Sequence, residues 1–115
     1  MVTTLDRAVE PGEIVVALRP FGVSQRDVAA ATHVSDRAVR GWKTGGIHAA
    51  SYDRLQDLRD IVLVLAESLT ERGVGQWLHA RNRLLESARP IDLLSEGRVD
   101  EVSQAAHSFV DGAYL

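Results

Sequence analysis

From about Ser51 to Leu69, the apolar residues Leu55, Leu58, Ile61, Val62, Leu65 and Leu69 recur at spacings of three and four. That period places them on one face of an α-helix, the longest the chain can form. Asp53, Arg54, Asp57, Arg59 and Asp60 fill the other face of its first half. The second half, Ile61-Val62-Leu63-Val64-Leu65-Ala66, is apolar all round, the pattern of a helix buried on two sides. A chain of 115 residues is expected to have too little other surface to cover such a run alone. The expectation is therefore a homodimer whose seam draws on Ile61, Val62, Val64 and Leu65.

Helical spacing dominates elsewhere, and period-2 alternation between turn signals does not recur, so the fold class expected is all-α. A first helix runs from about Pro11 to Arg19, with proline suited to the opening turn. By propensity alone its Ile14-Val15-Val16-Ala17-Leu18 core fits a buried strand equally, and Arg19-Pro20-Phe21-Gly22 ends either element. Ser24 with Asp27 three residues on opens a second helix as a capping box, with Val28, Ala29 and Thr32 on one face. Ser35 caps a third, with Asp36 in its first turn, and Gly45-Gly46 is expected to close it near Lys43-Thr44 with a left-handed cap. Glu71-Arg72-Gly73-Val74-Gly75 reads as a break, followed by a short helix around Trp77. Pro90 opens another over Ile91–Glu96, closed by Gly97. The last runs from Arg98 to about Asp111 on a stripe of Val99, Val102, Ala106, Phe109 and Val110. The division expected is a repressor-like bundle over residues 1–50, a linking and dimerising helix over 51–70, and a small helical domain over 71–115.

The absence of cysteine removes disulfides, thiol catalysis and thiolate-bound zinc. No apolar run approaches the roughly 18 residues of a membrane span, and residues 1–6 do not form a secretory leader. A cytoplasmic address is the expectation. The net charge of −3 is unevenly spread. Residues 1–48 sum to +1 and residues 49–115 to −4, while the stretch 24–54 is +2. A duplex-binding surface needs positive charge only where it meets phosphates, so the overall sign does not exclude nucleic acid. The four histidines show no HxxxH or HExxH spacing, and no GxSxG, GxGxxG or GxxxxGKS loop occurs. No enzyme, metal site or cofactor is expected.

Two constellations carry function. In the first, Ser24 to Lys43, two short helices flank a tight turn. Ala29 sits where they must approach closely, and Val34, Val39 and Trp42 fill the angle between them. This resembles the helix-turn-helix of phage-repressor-like DNA-binding proteins, whose second helix enters the major groove. The resemblance implies DNA contacts from Gln25, Ser35, Asp36, Arg37, Arg40 and Lys43. Arg37 and Arg40 suit guanine edges or phosphates, and Lys43 suits phosphate. The turn departs from that pattern in having His33 where glycine is usual. A left-handed backbone there costs a non-glycine residue about 1 kcal/mol.

The second constellation reads Trp77, then Asn82-Arg83-Leu84-Leu85, then Pro90-Ile91-Asp92-Leu93-Leu94 with Gly97, and finally Gly112-Ala113-Tyr114-Leu115. In that order it resembles the toxin-binding domain of the Xre/MbcA/ParS antitoxin family, from about residue 60 to the last residue. A degenerate repressor-like helix-turn-helix in front is also that family's pattern. The resemblance implies a type II antitoxin that neutralises a RES-domain toxin, an NAD-consuming enzyme, by obstructing its NAD pocket. It implies a homodimer within a larger toxin–antitoxin complex, and binding to operator DNA. The residues it points to for toxin contact are Trp77, Asn82, Arg83, Leu85, Tyr114 and Leu115. Trp77 serves equally as a core anchor and Asn82 as a turn cap. A pocket that binds pyrophosphate should be electropositive. A terminal carboxylate and an acidic face of Asp92, Glu96, Asp100, Glu101 and Asp111 suit such a mouth. The rival reading is a helix-turn-helix regulator whose second half only dimerises or senses a ligand.

Overall fold

A computed structural model describes residues 4–112, and among them every regular element is helical. The helices are α1 (Thr4–Arg7), α2 (Pro11–Leu18), α3 (Gln25–Thr32), α4 (Asp36–Gly41), α5 (Ala49–Leu65), α6 (Glu71–His79), α7 (Pro90–Ser95) and α8 (Val99–Gly112). Single 3₁₀ turns occupy Arg19–Phe21 and Arg83–Leu85.

Helix α5 is the centre of the molecule. One side receives α1, α2 and α3, and α8 lies along another. Leu55, Leu58, Val62 and Leu65 are at most 1% exposed. Full burial of a leucine or valine side chain is worth about 1.5–3 kcal/mol. The expected subunit seam needs correction at this point. Ile61, Val62 and Leu65 are buried within the chain's own core, which runs continuously from Leu5 to Ala106. The chain covers the run because helices from both halves wrap it. Of the four seam residues, Val64 alone keeps appreciable surface, and it is half-buried.

Several boundaries differ from expectation for local reasons. The Pro11–Leu18 segment is a helix, its start closed by a capping box in which the Glu10 amide donates to Glu13. Helix α1 carries too little sequence pattern to be foreseen. It is held by α5, whose Arg59 donates to the carbonyls of Leu5 (3.1 Å) and Asp6 (2.7 Å). Helix α4 stops at Gly41, before Gly45-Gly46, and neither of those glycines adopts a positive φ. Helix α5 ends at Leu65 rather than Leu69, in a turn where the Leu69 amide donates to Leu65 O.

The expected break at residues 71–75 is the first turn of α6. The Thr70 hydroxyl caps it, accepting from the Gly73 amide at 3.1 Å. Gly75 has a packing reason. A Cβ there would stand 2.9 Å from the Phe21 carbonyl oxygen, so α6 can lie on the Arg19–Phe21 turn only without one. Gly97, at φ +81°, closes α7 as expected, and the Arg98 amide donates to Leu93 O.

Candidate functional site

The α3–α4 pair is built by its caps. The Ser24 hydroxyl accepts from the Asp27 amide (3.1 Å), and the Asp27 carboxylate accepts from the Ser24 amide (3.0 Å). The Ser35 hydroxyl accepts from the Ala38 amide at 3.1 Å. Between the helices His33 adopts the left-handed conformation, φ 62° and ψ 40°. The Val34 amide then returns to Ala29 O, which turns the chain within three residues. Buried Thr32 satisfies its hydroxyl on Val28 O at 2.7 Å. Val39 and Trp42 fill the angle between the helices, and Trp42 is a core residue at 7% exposure.

This frame leaves Ser35, Arg37, Arg40 and Lys43 exposed. Among the described residues, Arg37, Arg40 and Lys43 have no carboxylate partner. Asp36 is half-buried. Gln25 is half-buried too, its amide donating to Asp36 O at 3.4 Å, so it ties the starts of α3 and α4 together.

A second link joins this pair to the C-terminal helices. The His79 ring faces acceptors at both nitrogens: Gly75 O at 2.8 Å from Nδ1, and the Asp27 carboxylate at 3.1 Å from Nε2. The carboxylate that caps α3 is thus also the one that α6 holds.

The C-terminal surface separates the residues expected there. Trp77 is half-buried, its ring tilted 57° against Phe109 with centroids 6.4 Å apart. Asn82 caps the Arg83–Leu85 turn, accepting from the Leu84 amide at 2.9 Å. Arg83 is exposed. Leu85 is 8% exposed and belongs to the core, whereas its neighbour Leu84 is 64% exposed. In a three-residue turn adjacent side chains diverge, so of two successive leucines only one can face inward. The pair was visible in sequence, but which member faces out was not. Phe109, counted in the apolar stripe of the last helix, is also exposed, at 36%. Tyr114 and Leu115 lie outside the described residues.

The acidic face is partly neutralised within the chain. Arg89 grips Asp92 with two hydrogen bonds (2.8 and 2.9 Å), which hold the Asp92 carboxyl below its ordinary range. Arg98 donates one hydrogen bond to Glu101, which lowers that carboxyl as well, and lies 3.6 Å from Glu96. Among the described residues, Asp100 and Asp111 carry no such arginine.

No family model matches the chain. Over all 115 residues, and the whole of both chains, it is 65% identical to the probable mycobacterial cidal antitoxin Rv3188 of Mycobacterium tuberculosis. The chain belongs to the mycobacterial cidal antitoxin family. The mycobacterial cidal antitoxins MbcA of Mycobacterium bovis and M. tuberculosis are 27% identical over 101 residues, 86% of this chain and 89% of theirs. A chain of the crystal structure of the M. tuberculosis MbcT–MbcA toxin–antitoxin complex has the same fold. It superposes with a TM-score of 0.74 at 24% identity, covering 94% of this chain and 100% of that one. Family membership makes this chain an antitoxin of a toxin–antitoxin system, and its all-α class is as expected.

Proposed function

We infer that this antitoxin neutralises a RES-domain toxin, an NAD-consuming enzyme, by packing residues 71–115 over the toxin's NAD pocket. The observation that carries the reading is apolar side chains left open on an antitoxin's C-terminal half: Leu84, 64% exposed, and Phe109, 36% exposed, with Trp77 against Phe109. Asn82 and Leu85 support this surface from below, and Arg83 stands at its rim. Tyr114 and Leu115, which come after α8 in the sequence, contact the toxin as well. Occlusion needs no catalytic group, metal or cofactor in this chain.

Residues 1–50 bind operator DNA and repress the antitoxin's own operon. The support is a capped α4 carrying Arg37 and Arg40, with Lys43 in the turn after it, all three without a carboxylate partner among the described residues, which is the charge a phosphate-lined groove requires. Ser35 and Asp36 stand at the groove-facing end of that helix, and Gln25 fixes its angle to α3. The antitoxin acts in the cytoplasm as a homodimer within a larger complex with its toxin. Val64 is the member of the expected seam that still offers surface for such pairing.

The experiment is growth of a host expressing the toxin-sized reading frame that adjoins this one, with and without the antitoxin. Arrest reversed by the antitoxin, with NAD depleted during arrest, supports the reading. Arrest untouched by it, or arrest with NAD intact, overturns respectively the pairing or the toxin class. Steeply salt-dependent binding to upstream DNA tests the repression arm.

A further inference from the structure

The segment from Asn82 to Ala88 is strained and yet fully braced. Glu86 (φ 55°) and Ser87 (φ 67°) are consecutive non-glycine residues in the left-handed region. Such backbone persists only where its surroundings over-determine it. Here they do. The Leu85 and Ser87 amides both donate to Asn82 O (3.0 and 2.9 Å), and the Asn82 amide donates to Ala88 O (3.0 Å). Arg81 donates to Ser87 O at 3.2 Å, and Leu85 roots the turn in the core.

What this frame displays is Leu84, 64% exposed, at the edge of a cavity of about 230 Å³ between the turn and α8. Glu86, Glu101 and Arg98 also line it. Arg98 is engaged with Glu101, whereas the Glu86 carboxylate has no hydrogen bond or ion pair among the described residues.

We propose that Leu84 is the preformed apolar anchor by which the toxin is gripped, with the unpaired Glu86 carboxylate beside it, so that the toxin presents an apolar socket next to a cationic group. This rests on the toxin-binding reading above. A backbone already held in place loses little freedom on binding, which is what bracing the turn achieves. A second copy of this chain is the poorer occupant. The patch carries Glu86, Glu101 and Arg98, a net negative charge on each copy, so pairing it with itself brings like net charge together.

The test uses the full chain and the purified product of the adjoining toxin reading frame, with affinity and rates measured by biolayer interferometry. Leu84→Ala raises Kd roughly 10- to 100-fold, the range for losing one buried leucine side chain. Its thermal midpoint stays at that of the parent, because Leu84 is in solvent before binding. Leu84→Met restores affinity to within about threefold, since it conserves volume. Glu86→Gln slows association and flattens its salt dependence, with dissociation little changed. If the parent binds and Leu84→Ala binds within about twofold of it, the proposal fails and the antitoxin reading stands. If Leu84→Ala instead changes the sedimentation of the antitoxin alone, the patch is a self-contact and the proposal fails. If the parent itself does not bind, the toxin-binding reading fails and this proposal with it.

Discussion

Gly75→Ala puts the packing of α6 on the N-terminal bundle to a quantitative test. The new Cβ would stand 2.9 Å from the Phe21 carbonyl oxygen and 3.5 Å from the Gly22 Cα. Both are backbone atoms, so no rotamer change can relieve the clash, and α6 must move off the Arg19–Phe21 turn. Forcing a methyl into packed structure costs about 1–3 kcal/mol. Replacing glycine by alanine inside a helix returns up to about 1 kcal/mol. The steric effect wins by up to about 2 kcal/mol. For a chain of this size that lowers the thermal midpoint by up to about 10 °C. Gly41→Ala is the matched control, since nothing lies within 4 Å of a Cβ at that position. There only the helical preference acts, and the midpoint rises by a few degrees. Far-UV circular dichroism during heating reads both. A Gly75→Ala protein as stable as the parent, beside a stabilised Gly41→Ala protein, would refute the close approach of α6 to Phe21.

Leu65→Ala removes a fully buried side chain and costs about 2–5 kcal/mol, read as an earlier denaturant midpoint. Its sedimentation mass stays that of the parent, and a shift toward monomer would return Leu65 to a subunit seam. Partial desolvation holds the carboxyl of solvent-exposed Asp57 above its ordinary value of 3.8, with repulsion from Asp60, Asp53 and Asp100 adding to it. A raised carboxyl favours the folded state while protonated, and that contribution is lost as pH rises through its folded value. Asp57→Asn therefore raises the thermal midpoint at neutral pH. The gain over the parent vanishes as pH falls below 3.8, and a gain that persists in acid contradicts the sign. Arg40→Ala weakens binding to upstream DNA and reduces the slope of log K against log salt by about one contact, measured by fluorescence anisotropy. An unchanged slope would remove Arg40 from the phosphate contacts.

Elements whose signals are local were legible in sequence. Ser24 with Asp27, Ser35, Pro90 and Gly97 mark their boundaries because a cap or a fixed φ acts over three or four residues. His33 was readable as a left-handed turn residue, and it is one. Boundaries set by tertiary contact were not legible. Gly73 and Gly75 look like a break, yet they lie in α6 because Thr70 caps it and Phe21 demands the bare Cα of Gly75. Helix α1 depends on Arg59, more than fifty residues away. The same limit governs the site. Periodicity put Ile61, Val62 and Leu65 on an apolar face, but whether that face meets its own chain or another depends on how α8 folds back along α5. In the Leu84–Leu85 pair, the outward member is chosen by the cap at Asn82 and the root at Leu85, neither of which has a period.

The most direct measurement of the central claim is NAD consumption by the purified product of the adjoining reading frame, titrated with this antitoxin. The activity falls in proportion to added antitoxin, ends at a fixed stoichiometry, and returns when the two are separated. An enzyme that consumes NAD at an undiminished rate under saturating antitoxin, or a partner that consumes none, would contradict it.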